Sequence, residues 1–395
     1  MKKTLAILLA VAMTFALLAA CTPAETTASP STSPTESGAA SPSASAAPSE
    51  PAASADATPD PNAKQTFTDS ADRTVELPAT ITKIAPGGAL AQMFLVAIAP
   101  DLMVSVASAY SDDSTKYVPA NLLALPEVGQ FYGSDDLNFE TIAAINPDVV
   151  IDLGEPKKTI KEDMDSITSK LAIPAVHITA YLRPDDSRPG VSSADAFRTL
   201  GKLLGREQRG EELAQYVEKV LAAADARLAN SGGVKPKVLY LVGDSGLNVI
   251  AKTSFHAEIV DYLADNVAVV DEPSGRGSGN ETDLEQILLW NPEFIVFGPN
   301  SVYSTVKTDP TWSQLDAIKN DNYAEIPIGP YNWMGMPPSV NRYFGMVWLS
   351  ELLYPDAAGD RGYELIREGY RLFLGYDLTI DEWNAFVSKT PFAVS

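Results

Sequence analysis

The sequence predicts an α/β fold: two similar lobes with mainly parallel central sheets, joined by a single long α-helix, with a ligand cleft between the lobes. Three observations predict this fold. Short β-branched runs alternate with amphipathic stretches from Gln65 onward, an eighteen-residue motif occurs twice, and a helical pattern separates its two copies.

Composition excludes several classes of protein. The chain has 395 residues, of which 45% are apolar and 20% charged, so it is neither collagen-like nor wholly disordered. Asp and Glu number 51 against 29 Lys and Arg, and a net charge of −22 repels phosphate backbones, so we expect no nucleic-acid partner. One Cys forms no internal disulfide, and two His are too few for a His-rich metal site. We therefore predict no protein metal site and no cofactor, with any metal arriving as a chelate.

The N-terminus predicts export and anchoring. Residues 1–20 have the pattern of a signal peptide: Lys2 and Lys3 precede an apolar stretch and two small residues. The segment Leu18-Ala19-Ala20-Cys21 resembles the lipobox of bacterial lipoproteins, which implies diacylation of Cys21; an ordinary cleaved signal is the alternative. Residues 21–64 are rich in Ala, Ser and Pro and are predicted to be a disordered tether. We expect a location on the extracytoplasmic face of the cell membrane.

The folded part is predicted to divide into three segments: an N-terminal α/β lobe (65–190), a helical segment (191–232) and a C-terminal α/β lobe with terminal helices (233–395). Apolar residues at three- and four-residue steps predict one long helix over 206–230, which the Ser231-Gly232-Gly233 segment ends. The predicted strands are 82–85, 103–107, 149–153 and 175–178 in the first lobe and 238–242, 268–270, 294–297 and 324–328 in the second.

The internal repeat relates residues 137–154 to residues 282–299 at an offset of 145. Glu140 corresponds to Glu285, and each copy contains an Asn-Pro pair after a short apolar helix pattern. Because Pro cannot continue a helical hydrogen-bond ladder, each copy predicts a short helix, a stop and a buried strand. The alternative interpretation is that any helix-to-strand junction has this pattern.

These features resemble the metal-chelate and cobalamin-type substrate-binding proteins of ABC importers. The resemblance covers residues 65 to 385 and depends on the repeat, on Gly201-Lys-Leu-Leu-Gly205 with the long helix, and on Pro337-Pro-Ser-Val-Asn-Arg342. It implies a monomeric receptor whose partners are a membrane permease with its ATPase and a small metal complex. It also implies that Glu140 and Glu285 dock onto arginines of the permease.

Loops that follow the predicted strands are the candidate ligand site, because ligands of open α/β sheets bind beyond the carboxyl ends of the strands. Their glycines expose backbone amides and their aromatic rings offer apolar walls, which suits a bulky chelate. Arg276, flanked by glycines, is the candidate contact for a carboxylate or oxyanion. The candidate ligand-binding residues are Gly87, Gly88, Tyr110, Tyr132, Arg276, Tyr303, Tyr331, Asn332, Trp333 and Met334.

The two histidines differ in context. His177 lies inside an apolar strand and is predicted to be a core residue, whereas His256 lies near the mouth of the second lobe. A ferric siderophore-type complex is the preferred ligand, and cobalamin, haem, a nickel chelate or a molybdate-type oxyanion stay open. No Gly-x-Ser-x-Gly elbow occurs, so we predict no enzyme; a tethered sensor or an α/β hydrolase-like enzyme are the alternatives.

Overall fold

The computed structural model describes residues 63–132, 136–186, 188–355 and 362–390. The predicted signal peptide, the lipidated Cys21 and almost all of the predicted tether lie outside the described residues. Within the described ranges, no helix combines the length and the apolar character that crossing a membrane requires.

Strands and helices alternate along most of the described chain. The strands are β1 Lys64–Thr68, β2 Thr74–Pro78, β3 Ile84–Pro86, β4 Val149–Gly154, β5 Ala175–Thr179, β6 Lys237–Val242, β7 Asn248–Val249, β8 Asp265–Asn266, β9 Asn280–Glu281, β10 Phe294–Phe297 and β11 Tyr323–Glu325. The helices are α1 Ala89–Ile98, α2 Phe139–Ile145, α3 Ile160–Leu171, α4 Ser193–Leu204, α5 Glu207–Asn230, α6 Glu258–Leu263, α7 Leu284–Trp290, α8 Asp316–Lys319, α9 Arg342–Leu353, α10 Gly362–Leu374 and α11 Ile380–Phe386.

The first sheet is parallel, with the strand order β3-β4-β5. Every residue of β4 and β5 is buried, which explains their near-continuous apolar sequence. The predicted strand 103–107 is wrong, because the segment makes only isolated bridges, one of them from Val106 to Glu127. Pro126, which accepts a bond from the Val106 amide, has no amide hydrogen to extend that ladder. The antiparallel hairpin of β1 and β2 was not predicted.

The second sheet has the order β11-β10-β6-β7-β9, with β8 pairing β6. Its β11, β10, β6 and β8 pairings are parallel, whereas β7 pairs β6 and β9 antiparallel. The predicted strand 268–270 is wrong: the Ala268 amide donates to the Asn266 side chain (3.1 Å), which replaces a ladder bond. The predicted strand 324–328 is shorter, because β11 ends at Glu325, two residues before Pro327.

The two copies of the repeat fold alike. Both helices, α2 and α7, have seven residues, and each begins with a side chain that accepts a backbone N–H: Asn138 in the first copy and Asp283 in the second. Each ends at an asparagine in the left-handed conformation, Asn146 (φ 51°) and Asn291 (φ 44°), before a buried parallel strand. The prediction of a short helix, an Asn-Pro stop and a strand is confirmed in both copies.

One apolar cluster joins the two sheets. Val149 and Ile151 of β4 and Val238 and Tyr240 of β6 belong to the same buried cluster, together with side chains of α1, α5, α9 and α10. The alternate residues of these strands face two separate outer clusters, which include Val150 of the first sheet and, in the second sheet, Leu239 and Leu241. The described chain therefore has a mixed α/β layer structure in which both sheets share a central helical layer.

The long helix α5 begins one residue later than predicted and ends at the predicted residue, Asn230. Gly205 ends α4 in the left-handed conformation (φ 64°), so α5 folds back along α4. Because α9 and α10 also pack beside α5, its role as the single brace between the lobes stays a prediction.

The crossing of α4 and α5 depends on two glycines. A Cβ atom added at Gly210 would lie 2.6 Å from the Phe197 carbonyl oxygen and 3.0 Å from the Gly201 Cα. We therefore expect Gly210→Ala to lower the free energy of unfolding by about 1–3 kcal/mol, as overpacking a close contact does. Urea unfolding measures the change. Gly275→Ala is the matched control, since the atom nearest to a Cβ added there, the Lys157 Nζ, lies 3.7 Å away. Equal stability of the two variants would contradict the prediction.

Candidate functional site

A cavity of about 850 Å³, the cleft cavity, lies between loops of the two lobes. On the first lobe its walls come from the start of α1, from the segment before α2 and from the carboxyl end of β4. On the second lobe they come from the residues before α6 and from the glycine-rich loop before β9. The lining residues are Gly88, Ala89, Leu90, Gln130, Phe131, Tyr132, Asp152, Leu153, Glu155, Lys157, Phe255, His256, Gly275, Arg276, Gly277, Ser278, Pro337 and Pro338.

Three of the predicted ligand-binding residues line this cavity: Gly88, Tyr132 and Arg276. Gly87 lies behind the wall, where an added Cβ would be 2.9 Å from the Cβ of Asp152. Its lack of a side chain lets β3 and β4 approach beneath the cavity. The Tyr132 ring packs edge-on against Phe131, and its hydroxyl donates to Asp163 (3.0 Å); burial, and then that carboxylate, raise the pKa of Tyr132.

The segment 331–334 does not line the cleft cavity, so the ligand-binding role of its four residues stays a prediction. Trp333 and Met334 are 0% and 1% exposed, and the Trp333 ring stacks on Trp383 in the core. The Tyr331 hydroxyl accepts a bond from Gln92 (3.2 Å). The buried Asn332 side chain accepts the Met334 amide. The aromatic rings and the amide groups of this segment contact other protein groups in the interior.

Tyr110 and Tyr303 also lie away from the cleft cavity. The Tyr110 ring packs against Tyr331 at 6.2 Å between centroids. Tyr303 packs against Phe297 and Tyr323 in the outer cluster of the second sheet. The carboxyl ends of β6 and β10 border a smaller adjoining cavity of about 230 Å³, which shares the glycine-rich loop with the cleft cavity.

One cation that lines the cleft cavity has no partner among the described residues. Lys157 pairs with Glu155 at 2.6 Å, and its Nζ lies 5.9 Å from the centre of the Tyr132 ring. The exposed Arg276 guanidinium has neither an ion pair nor a hydrogen bond to any residue that the structure describes. The cavity therefore presents a free guanidinium near a charged pair, which suits an anionic group on a ligand.

Asp152 forms the floor of the cavity and is itself buried. Its carboxylate lies 2.7 Å from the Nδ1 of His177, whose ring is 1% exposed. The prediction that His177 is a core residue is confirmed, since its ring is paired beneath the cavity wall.

His256 lines the cavity from the second lobe. Its Nδ1 lies 2.9 Å from the Gly335 carbonyl oxygen; a carbonyl only accepts, so Nδ1 carries the hydrogen. Burial lowers the pKa of His256 below its ordinary value of 6.5, which favours the neutral ring at neutral pH. In this tautomer Nε2 is an acceptor. The described residues contain no cluster of three or more His, Cys, Asp or Glu that is arranged to hold a metal ion.

Several residues that line the cleft cavity were not predicted from the sequence. Glu155 and Lys157 follow the carboxyl end of β4, so the rule that selected the other loops also selects them. Phe255 had no distinguishing signal, because its pattern is that of an ordinary helix start. Pro337 and Pro338 reach the cavity from a segment distant in sequence, which no local pattern shows.

A mixed α/β fold with a solute-sized cavity between two lobes defines a class of binding proteins. A family model described as periplasmic binding protein matches residues 85–328, more than half of the chain. The chain belongs to this periplasmic binding protein family. It is accordingly a binding protein and not an enzyme.

Individual proteins agree with this assignment. The chain is 25% identical over 186 residues to the Fe(3+)-citrate-binding protein YfmC of Bacillus subtilis (strain 168); the match covers 46% of this chain and about half, 54%, of that protein. An ABC transporter solute binding protein from Sulfurospirillum deleyianum DSM 6946 is 26% identical, with a TM-score of 0.72 over 82% of this chain and 99% of that chain. The molybdate-bound protein MolA of Haemophilus influenzae, at 20% identity, shares the fold, with a TM-score of 0.61 over 80% of this chain and 99% of that one.

Proposed function

We propose that this protein is the extracytoplasmic solute-binding lipoprotein of an ABC importer, which captures a metal chelate and delivers it to the permease. The observation that carries the proposal is the cleft cavity: its volume of about 850 Å³ lies in the range of small-molecule sites. The match to an ABC transporter solute binding protein over 82% of the chain supports the transport role.

A ferric siderophore-type complex is the proposed cargo. Such a complex combines an apolar periphery with anionic oxygens. In the cavity, the Phe131, Tyr132 and Phe255 rings can contact the apolar periphery. The free Arg276 guanidinium can bind the anionic oxygens. The Fe(3+)-citrate-binding relative favours iron within this class.

The proposed attachment is through Cys21, with residues 1–20 removed and residues 21–64 acting as the tether. Two acyl chains on one residue hold a protein stably at a membrane. In this scheme the N-terminal lobe (65–190), the helical segment (191–232) and the C-terminal lobe (233–395) work as a monomer beside the permease and its ATPase.

Titration of the purified protein with ferric citrate, ferric hydroxamate and ferric catecholate complexes, followed by thermal unfolding, tests the cargo. A ligand at 100 times its Kd adds about 2.7 kcal/mol to the free energy of unfolding, which a thermal shift detects. Binding of a ferric complex but not of the iron-free chelator is expected. A protein that responds to none of the three complexes, while still folded by circular dichroism, contradicts the proposed cargo but not the family.

Docking on the permease is proposed for Glu140 and Glu285. Both carboxylates are exposed in the first turns of the repeated helices α2 and α7. We expect Glu140→Ala with Glu285→Ala to lower iron uptake by roughly tenfold, because rim charges govern encounter, and to leave ligand affinity unchanged. Uptake of iron-55 in cells and titration of the purified variant measure the two quantities.

The matched control for docking is Glu207→Ala, which removes an exposed acid from the first turn of α5. Uptake in this control should equal that of the unmodified protein. A double variant that transports at full rate, or one that binds ligand more weakly, would contradict the docking role.

A further inference from the structure

A second cavity, the rear cavity, has a volume of about 360 Å³. It lies where the chain leaves the first sheet and enters the second, between the residues after β5, the end of α5 and the helix α6. Among the described residues, none that lines the rear cavity also lines the cleft cavity. It is therefore a separate space with walls from both lobes.

Arg188 brings a buried donor into the rear cavity. Its Nη1 is fully enclosed and has no hydrogen-bond partner in the described structure. The nearest carboxylate oxygens lie too far for hydrogen bonds: Glu258 Oε1 is 3.6 Å from Nη1, and Asp261 Oδ2 is 3.9 Å from Nη2. A buried donor without an acceptor has lost its hydrogen bonds to water and gained none in return, so this guanidinium would gain from an added acceptor.

The two neighbouring carboxylates are already engaged. Glu258 pairs with Arg342 and accepts the Leu182 amide. Asp261 accepts the Thr253 amide (2.9 Å) and the Asn266 side chain (3.0 Å). Neither carboxylate therefore needs to move towards Arg188 to satisfy its own oxygens.

Lys235 is the second cation of this cavity. Its Nζ donates to the backbone carbonyl of Asp261 (3.2 Å), and it pairs with no carboxylate among the described residues. Burial lowers the pKa of Lys235, so its charge is partly desolvated. The remaining cation, Arg183, is held by Asp225 and Tyr262.

We propose that the rear cavity binds a small oxyanion, a carboxylate or a phosphate, whose oxygens accept hydrogen bonds from Arg188 and Lys235. Charge-assisted bonds of this kind are stronger than neutral ones, and in the part of the chain that the structure describes neither donor has an anionic hydrogen-bond partner. A water occupies about 30 Å³ in the liquid, so about 360 Å³ leaves room for a phosphate or a small organic acid. The proposal is independent of the cargo of the cleft.

Calorimetric titration of the full chain with inorganic phosphate and, separately, with succinate tests the site. The protein is first dialysed into chloride buffer. At least one of the two anions is expected to bind, and the two arms identify which oxyanion fits. We expect Arg188→Gln and Lys235→Gln each to weaken that binding by about tenfold. Arg276→Gln, which removes the free cation of the cleft, should leave it unchanged.

Two results would overturn the proposal. One is that neither anion binds at millimolar concentration. The other is binding that Arg276→Gln abolishes and that both rear variants retain, since the anion would then lie in the cleft. If Arg188→Gln does not fold, Lys235→Gln decides alone, because the Lys235 Nζ makes a single backbone hydrogen bond and its loss spares the fold.

Discussion

Replacing Arg342 by Met is expected to lower the free energy of unfolding by about 3–5 kcal/mol, the usual cost of removing one partner of a buried ion pair. Arg342 is 1% exposed and pairs with Glu258, which is 4% exposed. Its Nη2 also donates to the Ala180 carbonyl (3.2 Å), and its guanidinium lies 4.8 Å from the centre of the Phe255 ring. Urea unfolding followed by circular dichroism measures the loss.

The destabilisation should depend on pH. Burial raises the pKa of Glu258, and the positive charge of Arg342 opposes that rise. Without Arg342 the pKa of the carboxyl should rise further, so the folded state binds a proton that the unfolded state releases. Stability of Arg342→Met should therefore fall as pH rises above the unfolded value of about 4.3, and the loss should be larger at about pH 8 than at about pH 5.

The double variant Arg342→Met with Glu258→Gln is the control for this argument. It removes the uncompensated carboxylate along with its partner, so part of the lost stability should return and the added pH dependence should disappear. If the double variant is less stable than Arg342→Met and keeps the same pH slope, the cost does not come from the charge on Glu258.

The buried ion pair of Arg342 and Glu258 could not be predicted from the sequence. The segment Pro337 to Arg342 carries part of the resemblance, and its last residue, Arg342, begins α9. Its partner Glu258 lies 84 residues away. A buried pair of this separation depends on how α6 and α9 pack, which no local pattern encodes.

The repeat was predictable because each copy contains its own stop signal. Asn146 and Asn291 take up the left-handed conformation that asparagine tolerates, and the following proline prevents further helix. The aromatic residues gave no comparable signal. A tryptophan such as Trp333 is found in ligand-binding walls and in protein cores alike, so its residue type does not distinguish the two. Its indole N–H can be buried because the Gly329 carbonyl and the Tyr370 hydroxyl accept it.

Arg276→Gln is expected to weaken binding of an anionic ferric chelate by about tenfold to a hundredfold, since a hydrogen bond to a charged group contributes about 1.5–3 kcal/mol. The guanidinium is exposed in the cleft and has no protein partner in the described structure, so its removal should leave stability unchanged. Ferric citrate titrated against both proteins measures the change. Arg371→Gln, at an exposed position on α10, is the matched control and should bind normally.

Glu155→Gln should act in the opposite direction. Glu155 now holds the Lys157 ammonium at 2.6 Å, and a Cβ at Gly275 would lie 3.7 Å from that ammonium, so Lys157 reaches towards the loop of Arg276. Neutralising Glu155 removes a negative charge that repels the anionic ligand, and it frees Lys157 to bind that ligand. We expect affinity for ferric citrate to rise a few-fold, and Lys157→Gln to lower it. If Glu155→Gln and Arg276→Gln weaken binding equally, charge does not govern the cleft, and the aromatic walls carry the affinity instead.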